Sequence, residues 1–566
     1  MKRTVISCLA AASAVAASYL FFYAFPIWIP PLYYFAAALY AFAAGVIAWL
    51  FAAKKPLVKA LIAAAAYAGG FLTLTFLINN VLLHADQSEK ATVILSCLNL
   101  AFFIVYYAVL SRGKQRKPAF AVGAVLLTGL PLLFYVVAAL WPFSCGERPV
   151  VGSTKAAPIT ATEREHRFDD DRLLLGAYCL TKDANYATLR QWFKEAGLDF
   201  YVGAWGETLT EEDLTWLAEN GMGVFLPNSE DYRGVDAPAV WGIDLRDEPA
   251  AADFEALAAD AKTLYEQAPD RFPLINLLPM GFGDNLGGEH AKGPFFFGGT
   301  RIDALNRNSL QYRMYVNDFI GTVDSDIVSL DIYPLSLDPD TGEKTTYERW
   351  LRPLDILADA CRASGRDLWV ITQAAGNVVS GEGGARYCDT AEDQRWQDHV
   401  CLSFGAKAII YACYYTGWWD SASHMITDEG ERTDTYYAVQ QVNGEMAALA
   451  EEYGKYENHG AVLLNGAKAA GAYLGLVAVD DAYQPAVTTD APLLCGCFTE
   501  KEGDGKAFVF TNMYEPQNGK EAAFTATFPG AKSVTVYRKG EATQIADDTL
   551  ALTLDNREGV FVTVTY

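Results

Sequence analysis

Five long apolar stretches open the chain, at roughly 4–25, 31–53, 58–83, 91–111 and 118–142. Each approaches or exceeds the ~20 residues a helix needs to cross hydrocarbon. The charges sit at the breaks. Lys2 and Arg3 precede the first stretch, Lys54, Lys55 and Lys59 mark the join of the second and third, and Arg112, Lys114, Arg116 and Lys117 separate the fourth from the fifth. The other two breaks carry no charge (26–30) or mixed charge (84–90). Positive charge on alternate breaks predicts a five-span transmembrane bundle over 1–143 in the plasma membrane. Its N-terminus is cytoplasmic and everything after residue 143 lies outside. Ala14-Val15-Ala16 has the form of a signal-peptide cleavage triplet, but the apolar run continues through Tyr19-Leu20-Phe21-Phe22, so a span is the reading taken. The span interiors hold no ionisable groups, only Asn79, Asn80 and Asn99, so the bundle reads as an anchor in the lipid bilayer, not a transport path.

After an aperiodic linker (144–170) the rhythm changes to strand-like runs alternating with amphipathic stretches. Strands are predicted at 172–179, 199–205, 222–227, 240–246, 273–279, 326–333, 367–374 and 406–414. Helices are predicted at 184–197, 210–220, 251–267, 308–323, 345–364 and 391–404. Thr210 and Asp213 have capping-box spacing, and Gly197 and Gly221 stand where helices stop. Eight strand–helix repeats predict a (β/α)8 barrel over 171–458. An open doubly wound sheet is the alternative, but Tyr178-Cys179-Leu180-Thr181 follows the first strand where a dinucleotide loop would be rich in glycine. Short alternating segments at 461–464, 474–479, 492–498, 507–512, 522–528, 533–538, 549–553 and 560–565 predict an all-β sandwich over 459–566.

Composition sharpens this picture. The 566 residues are 52% hydrophobic and 20% charged, which excludes disorder throughout. The net charge of -24 conceals an asymmetry: 10 Lys+Arg against 2 Asp+Glu before residue 144, and 34 against 66 after it. So acidic a body repels phosphate backbones and excludes nucleic acid as a partner. The ten cysteines show no metal spacing; most lie in apolar runs where buried free thiols are expected. No cofactor or metal motif is present, and no protein partner is indicated.

In such barrels the reactive groups sit at the carboxyl ends of the strands. Those positions offer Tyr178, Trp205, Glu207, Asn228, Glu230, Asp231, Asp247, Glu248, Asp331, Tyr333, Gln373, Tyr415, Trp418, Trp419 and Asp420, plus Asp284, Asn285, Glu289 and His290 in a glycine-rich loop after the fifth strand. Aromatic faces stack on sugar C–H faces, carboxylates and amides read hydroxyls, and a carboxylic acid of raised pKa protonates a glycosidic oxygen. A phosphate site would want Arg, Lys or glycine cradles instead.

The segment VWGIDLRDEP (240–249) resembles the fourth strand of the large clan of retaining glycoside hydrolases built on this barrel. SLDIYP (329–334), WVITQAAG (369–376) and IIYACYYTGWW (409–419) also resemble glycosidase-like barrels, and the resemblance covers about 170–566. It implies a hydrolase of poly- or oligosaccharides with Glu248 as general acid/base, which the predicted spans would anchor to the membrane on its extracytoplasmic side. An Asp-Glu-Pro triplet also begins ordinary helices. The chain departs from the clan at strand seven, where the nucleophilic Glu is replaced by Gln373. Asp331 or Glu382 then supplies the second carboxylate, or the domain binds sugar without cleaving it. Asp247 is expected to orient; Trp205, Tyr178, Asn228, Tyr333, Gln373, Tyr415 and Trp418 are expected to line a carbohydrate site.

Overall fold

The computed structural model describes residues 159–566, apart from 163, 170, 204–205, 233, 282, 288–300, 339, 348–349, 377, 379–384, 416, 418, 420–422, 467–468 and 471–475. The five predicted spans lie outside the described residues. Among those described, no helix is long and apolar enough to cross a membrane. The chain divides into two units, 1–149 with 292–308 and 150–291 with 309–566; the account below concerns the second.

Eight parallel strands close into a barrel. They are β1 (Leu174–Tyr178), β2 (Phe200–Val202), β3 (Gly223–Pro227), β4 (Val240–Asp247), β5 (Phe272–Leu277), β6 (Ile327–Ile332), β7 (Asp367–Gln373) and β8 (Ala408–Ala412). Each pairs with its sequence neighbour, and β8 closes on β1 through Leu174–Ala408 and Ala177–Tyr411. Strands buried on both faces need continuous apolar runs, and Phe272–Leu277 is buried at every position. The interior is filled by Phe200, Phe225, Trp241, Phe272 and Trp369, with ring centroids 5.0 Å apart for Phe200–Trp369 and 5.5 Å for Phe225–Trp369. Glycines make room for these rings: a Cβ on Gly223 would sit 2.1 Å from the Trp241 ring, and one on Gly176 2.5 Å from Phe200.

The helices are α1 (Tyr186–Glu195), α2 (Glu211–Glu219), α3 (Phe254–Gln267), α4 (Arg301–Ile320), α5 (Leu351–Ser364), α6 (Ala391–Ser403), α7 (Asp434–Ala447) and α8 (Ala450–Gly454). The Thr210 capping box is present: Asp213 N–H donates to Thr210 Oγ1 at 3.3 Å, and Thr210 N–H donates to Asp213 Oδ2 at 2.9 Å. The expected helix over 345–364 starts only at Leu351. Leu335–Leu337 and Lys344–Thr346 pair instead as an antiparallel hairpin. The Asp338 carboxylate nucleates its turn by accepting from the N–H groups of Asp340 and Thr341 at 3.0 and 2.7 Å.

Beyond the helices lie a six-stranded and a three-stranded antiparallel sheet, built from strands between Tyr456 and Thr565. Both sheets feed one apolar cluster that includes Phe508, Phe510, Phe524, Leu550 and Val562. The described part of the expected 474–479 strand (476–479) is not a strand, while Ala486–Thr489 and Glu541–Ile545 are strands that sequence reading passed over. Trp396 of α6 ties barrel to sheet, donating from Nε1 to the Asn512 carbonyl at 2.8 Å. The seven described cysteines are free and buried.

Candidate active site

The fourth strand is irregular where the chemistry begins. Asp244 pairs with Leu274, but the next pairing is Arg246 with Ile275, so Leu245 is an extra residue in the ladder. Strict alternation would have turned Asp244 and Glu248 to one face and Asp247 to the other. The bulge resets the phase beyond it, as bulges do. Asp244 then lies beside interior Leu274, and Asp247 beside Asn276.

Glu248 follows with φ of +46°, a left-handed conformation that costs a side-chain-bearing residue roughly 1–2 kcal/mol. Its N–H donates to the Asn276 carbonyl at 2.8 Å, and Tyr315 Oη donates to the Pro249 carbonyl at 2.7 Å. These bonds hold the strand end in its strained turn. Such strain collects at functional sites.

Asn276 organises the acids. Its Nδ2 donates to Asp247 Oδ1 at 2.9 Å and lies 3.4 Å from Asp331 Oδ1, while its Oδ1 accepts from Ser329 Oγ at 3.3 Å. Asp331 lies near the end of β6 and Tyr333 just beyond it; Tyr333 packs edge-on to Trp419, centroids 5.0 Å apart. Tyr178, at the end of β1, is buried among the same groups and feels the charges of Asp244, Asp247 and Asp331.

Electrostatically these are carboxyls crowding one another. Burial, then the Glu248 charge, then that of Asp247 push Asp331 up to about 7. Burial and Asp247 push Asp244 up to about 7 as well. Glu248 is raised by burial and by Asp247. Asp247 is raised by burial but restrained by the Asn276 amide. Asp244 and Asp331 keep partial contact with solvent and Asp247 is exposed, so water reaches the cluster near the carboxyl ends of the strands. The arrangement can hold a proton on one acid beside an ionised neighbour, the pairing that acid–base chemistry needs.

Of the residues expected from sequence, the fold gathers Tyr178, Asp247, Glu248, Asp331 and Tyr333. Gln373 is turned elsewhere. Fully buried, it donates from Nε2 to the carbonyls of Leu335 and Tyr387 at 2.9 and 2.8 Å and accepts from Leu335 N–H at 2.9 Å. Those bonds consume its amide in holding the hairpin, so it does not line a ligand site. Tyr415 is also buried, with Oη donating to Asp183 Oδ2 at 2.8 Å. Asn228 is exposed after β3. Trp205, Trp418, Glu382, Glu289, His290 and Asp420 lie outside the described residues. Sequence reading missed Asp244, Asn276 and Ser329. Their signal was a polar residue inside an otherwise apolar, doubly buried strand.

No protein-family model and no curated relative matches the chain. Among solved structures, the chain is similar to a beta-galactosidase from Bacillus circulans sp. alkalophilus (8% identity, 71% of this chain and 100% of that one, TM-score 0.33). It is also similar to alpha-galactosidase I from Mortierella vinacea (11% identity, 70% and 97%, TM-score 0.32). A third similar structure is the beta-galactosidase from the psychrophilic Marinomonas ef1 (13% identity, TM-score 0.29), of which the chain spans 60%. Scores of this size carry no weight for activity, which has to be argued from the site itself.

Proposed function

We propose that the chain is a glycoside hydrolase working at the barrel mouth, with Glu248 and Asp331 as its two reacting carboxyls. The observation that carries this is the pull on Asp331: after burial, the Glu248 charge raises it more strongly than any other charge does, at the open end of a parallel barrel. Two acids so placed favour holding one proton between them. Burial acts harder on Asp331, which favours placing that proton there. Asp331 then protonates the leaving oxygen and Glu248 is the ionised partner, the reverse of the roles expected from the Asp-Glu-Pro motif. Asp247, held by Asn276, sets the field between them, and Tyr178 and Tyr333 wall the sugar. Residues 1–143 tether the barrel to the outer face of a plasma membrane.

The test is hydrolysis of a panel of chromogenic glycosides by the full chain, beside Glu248→Gln and Asp331→Asn. Losing an acid or base costs about 10²–10⁴-fold in rate. Equal turnover by wild type and both variants overturns the assignment.

One observation favours a second reading, a carbohydrate-binding ectodomain without turnover. At the end of β7, where the resembled clan has a nucleophile, Gln373 is locked to backbone. Saturable sugar binding without hydrolysis of any member of the panel would select it.

A further inference from the structure

Asp244 has no place in the reaction as described, yet it belongs to the same acidic cluster, facing Asp247 and Tyr178. No described residue donates a hydrogen bond to its side chain, and its Oδ1 is sealed from water with no partner. A carboxyl so placed holds a charge only if something positive faces it. The described residues supply nothing of the kind. Among the described residues no Lys, Arg or His forms an ion pair with Asp244, Asp247, Glu248 or Asp331; the nearby Arg246 turns instead to Asp253 at 3.9 Å. Nor, among the described residues, do three His, Cys, Asp or Glu side chains converge as metal ligands. A neutral sugar would leave these acids repelling one another in a site it has just stripped of water. A ligand cation would relieve them.

We propose that the bound sugar is an amino sugar, whose protonated primary amine docks against Asp244 and Asp247. The sugar part of this statement rests on the hydrolase reading; the preference for a cation rests on Asp244. An ammonium offers three donors, enough for the empty Asp244 carboxylate and the accessible side of Asp247.

Calorimetric titration of the full-length chain at about pH 7 tests it, with D-glucosamine and D-galactosamine against D-glucose, D-galactose and N-acetyl-D-glucosamine. The amines are expected to bind about tenfold tighter or better, and Asp244→Asn to erase that margin. Asp247→Asn, at the rim, gives the same reading should the first variant fail to fold. Equal binding of neutral and amino sugars overturns the proposal, as does a preference that survives both substitutions. Calcium chloride titrated alone is the rival probe: if it binds through Asp244 and competes with the amine, the cluster is a metal site and the proposal falls. Amine preference without any hydrolysis would keep the cation subsite and sink the hydrolase reading. Hydrolysis of neutral glycosides without amine preference would do the opposite.

Discussion

Asn276 donates to Asp247 at 2.9 Å from the adjacent strand, and the same nitrogen lies 3.4 Å from Asp331. One amide therefore sets the spacing of two acids whose charges oppose each other. Its hydrogen bond lowers both pKa values against the pull of burial. Asn276→Ala is expected to let both rise, moving the basic limb of the activity profile to higher pH and cutting kcat about 10–100-fold. A pH–rate series checks this; an unmoved basic limb would deny Asn276 any positioning role.

The Asp331 shift also fixes how stability responds to pH. Its folded pKa of about 7 exceeds the ordinary 3.8, so between those values the folded chain holds the proton more tightly than the unfolded chain. Stability from this group therefore falls as pH climbs through that window and levels off above it. Asp331→Asn mimics the protonated form. It is expected to melt above wild type at pH near 8, by a margin that shrinks toward pH 4. Thermal unfolding across that range reads the sign directly.

Glu248 carries backbone strain independently of its carboxyl. Glycine accepts a φ of +46° freely, whereas alanine does not. Both substitutions remove the acid, so activity is lost in either. In denaturant unfolding, Glu248→Gly should be more stable than Glu248→Ala by about 1 kcal/mol.

Gln373→Glu restores the residue type of the resembled clan, yet no gain of activity is expected. A carboxylate cannot donate to the Leu335 and Tyr387 carbonyls and would face them as a buried like charge. The expected result is a loss of about 3 kcal/mol of stability, seen by denaturant titration.

The proposed membrane tether makes its own prediction. The full chain should sediment with membranes and resist alkaline extraction, and protease added to intact cells should clip the barrel. A chain that stays intact in whole cells but is cut after lysis would place the barrel inside.

Much of the barrel was legible because a doubly buried strand must be apolar throughout and its crossover helix must be amphipathic. All eight strands and the Thr210 cap could be read on those grounds. The hairpin at 335–346 escaped because its turn is made by one aspartate in a stretch that otherwise scans as a helix start. Glu248 and Asp331 were visible as acids at strand ends. Asp244 and Asn276 were not, since a lone polar residue within an apolar strand does not announce what it faces, and alternation alone would have sent Asp247 toward the helices. Gln373 misled for another reason: its position was right, but the carbonyls that claim its amide come from the hairpin strand at Leu335 and from Tyr387, whose approach no local pattern announces.

The facing of the acids beyond Asp244 hangs on Leu245 staying out of the ladder. Were Leu245 drawn into pairing with Ile275, the stretch after it would slip by one position, setting Arg246 opposite Asn276 on the inner wall and turning Asp247 outward. A slip of one residue there would trade a carboxylate for a guanidinium in the middle of the acidic array.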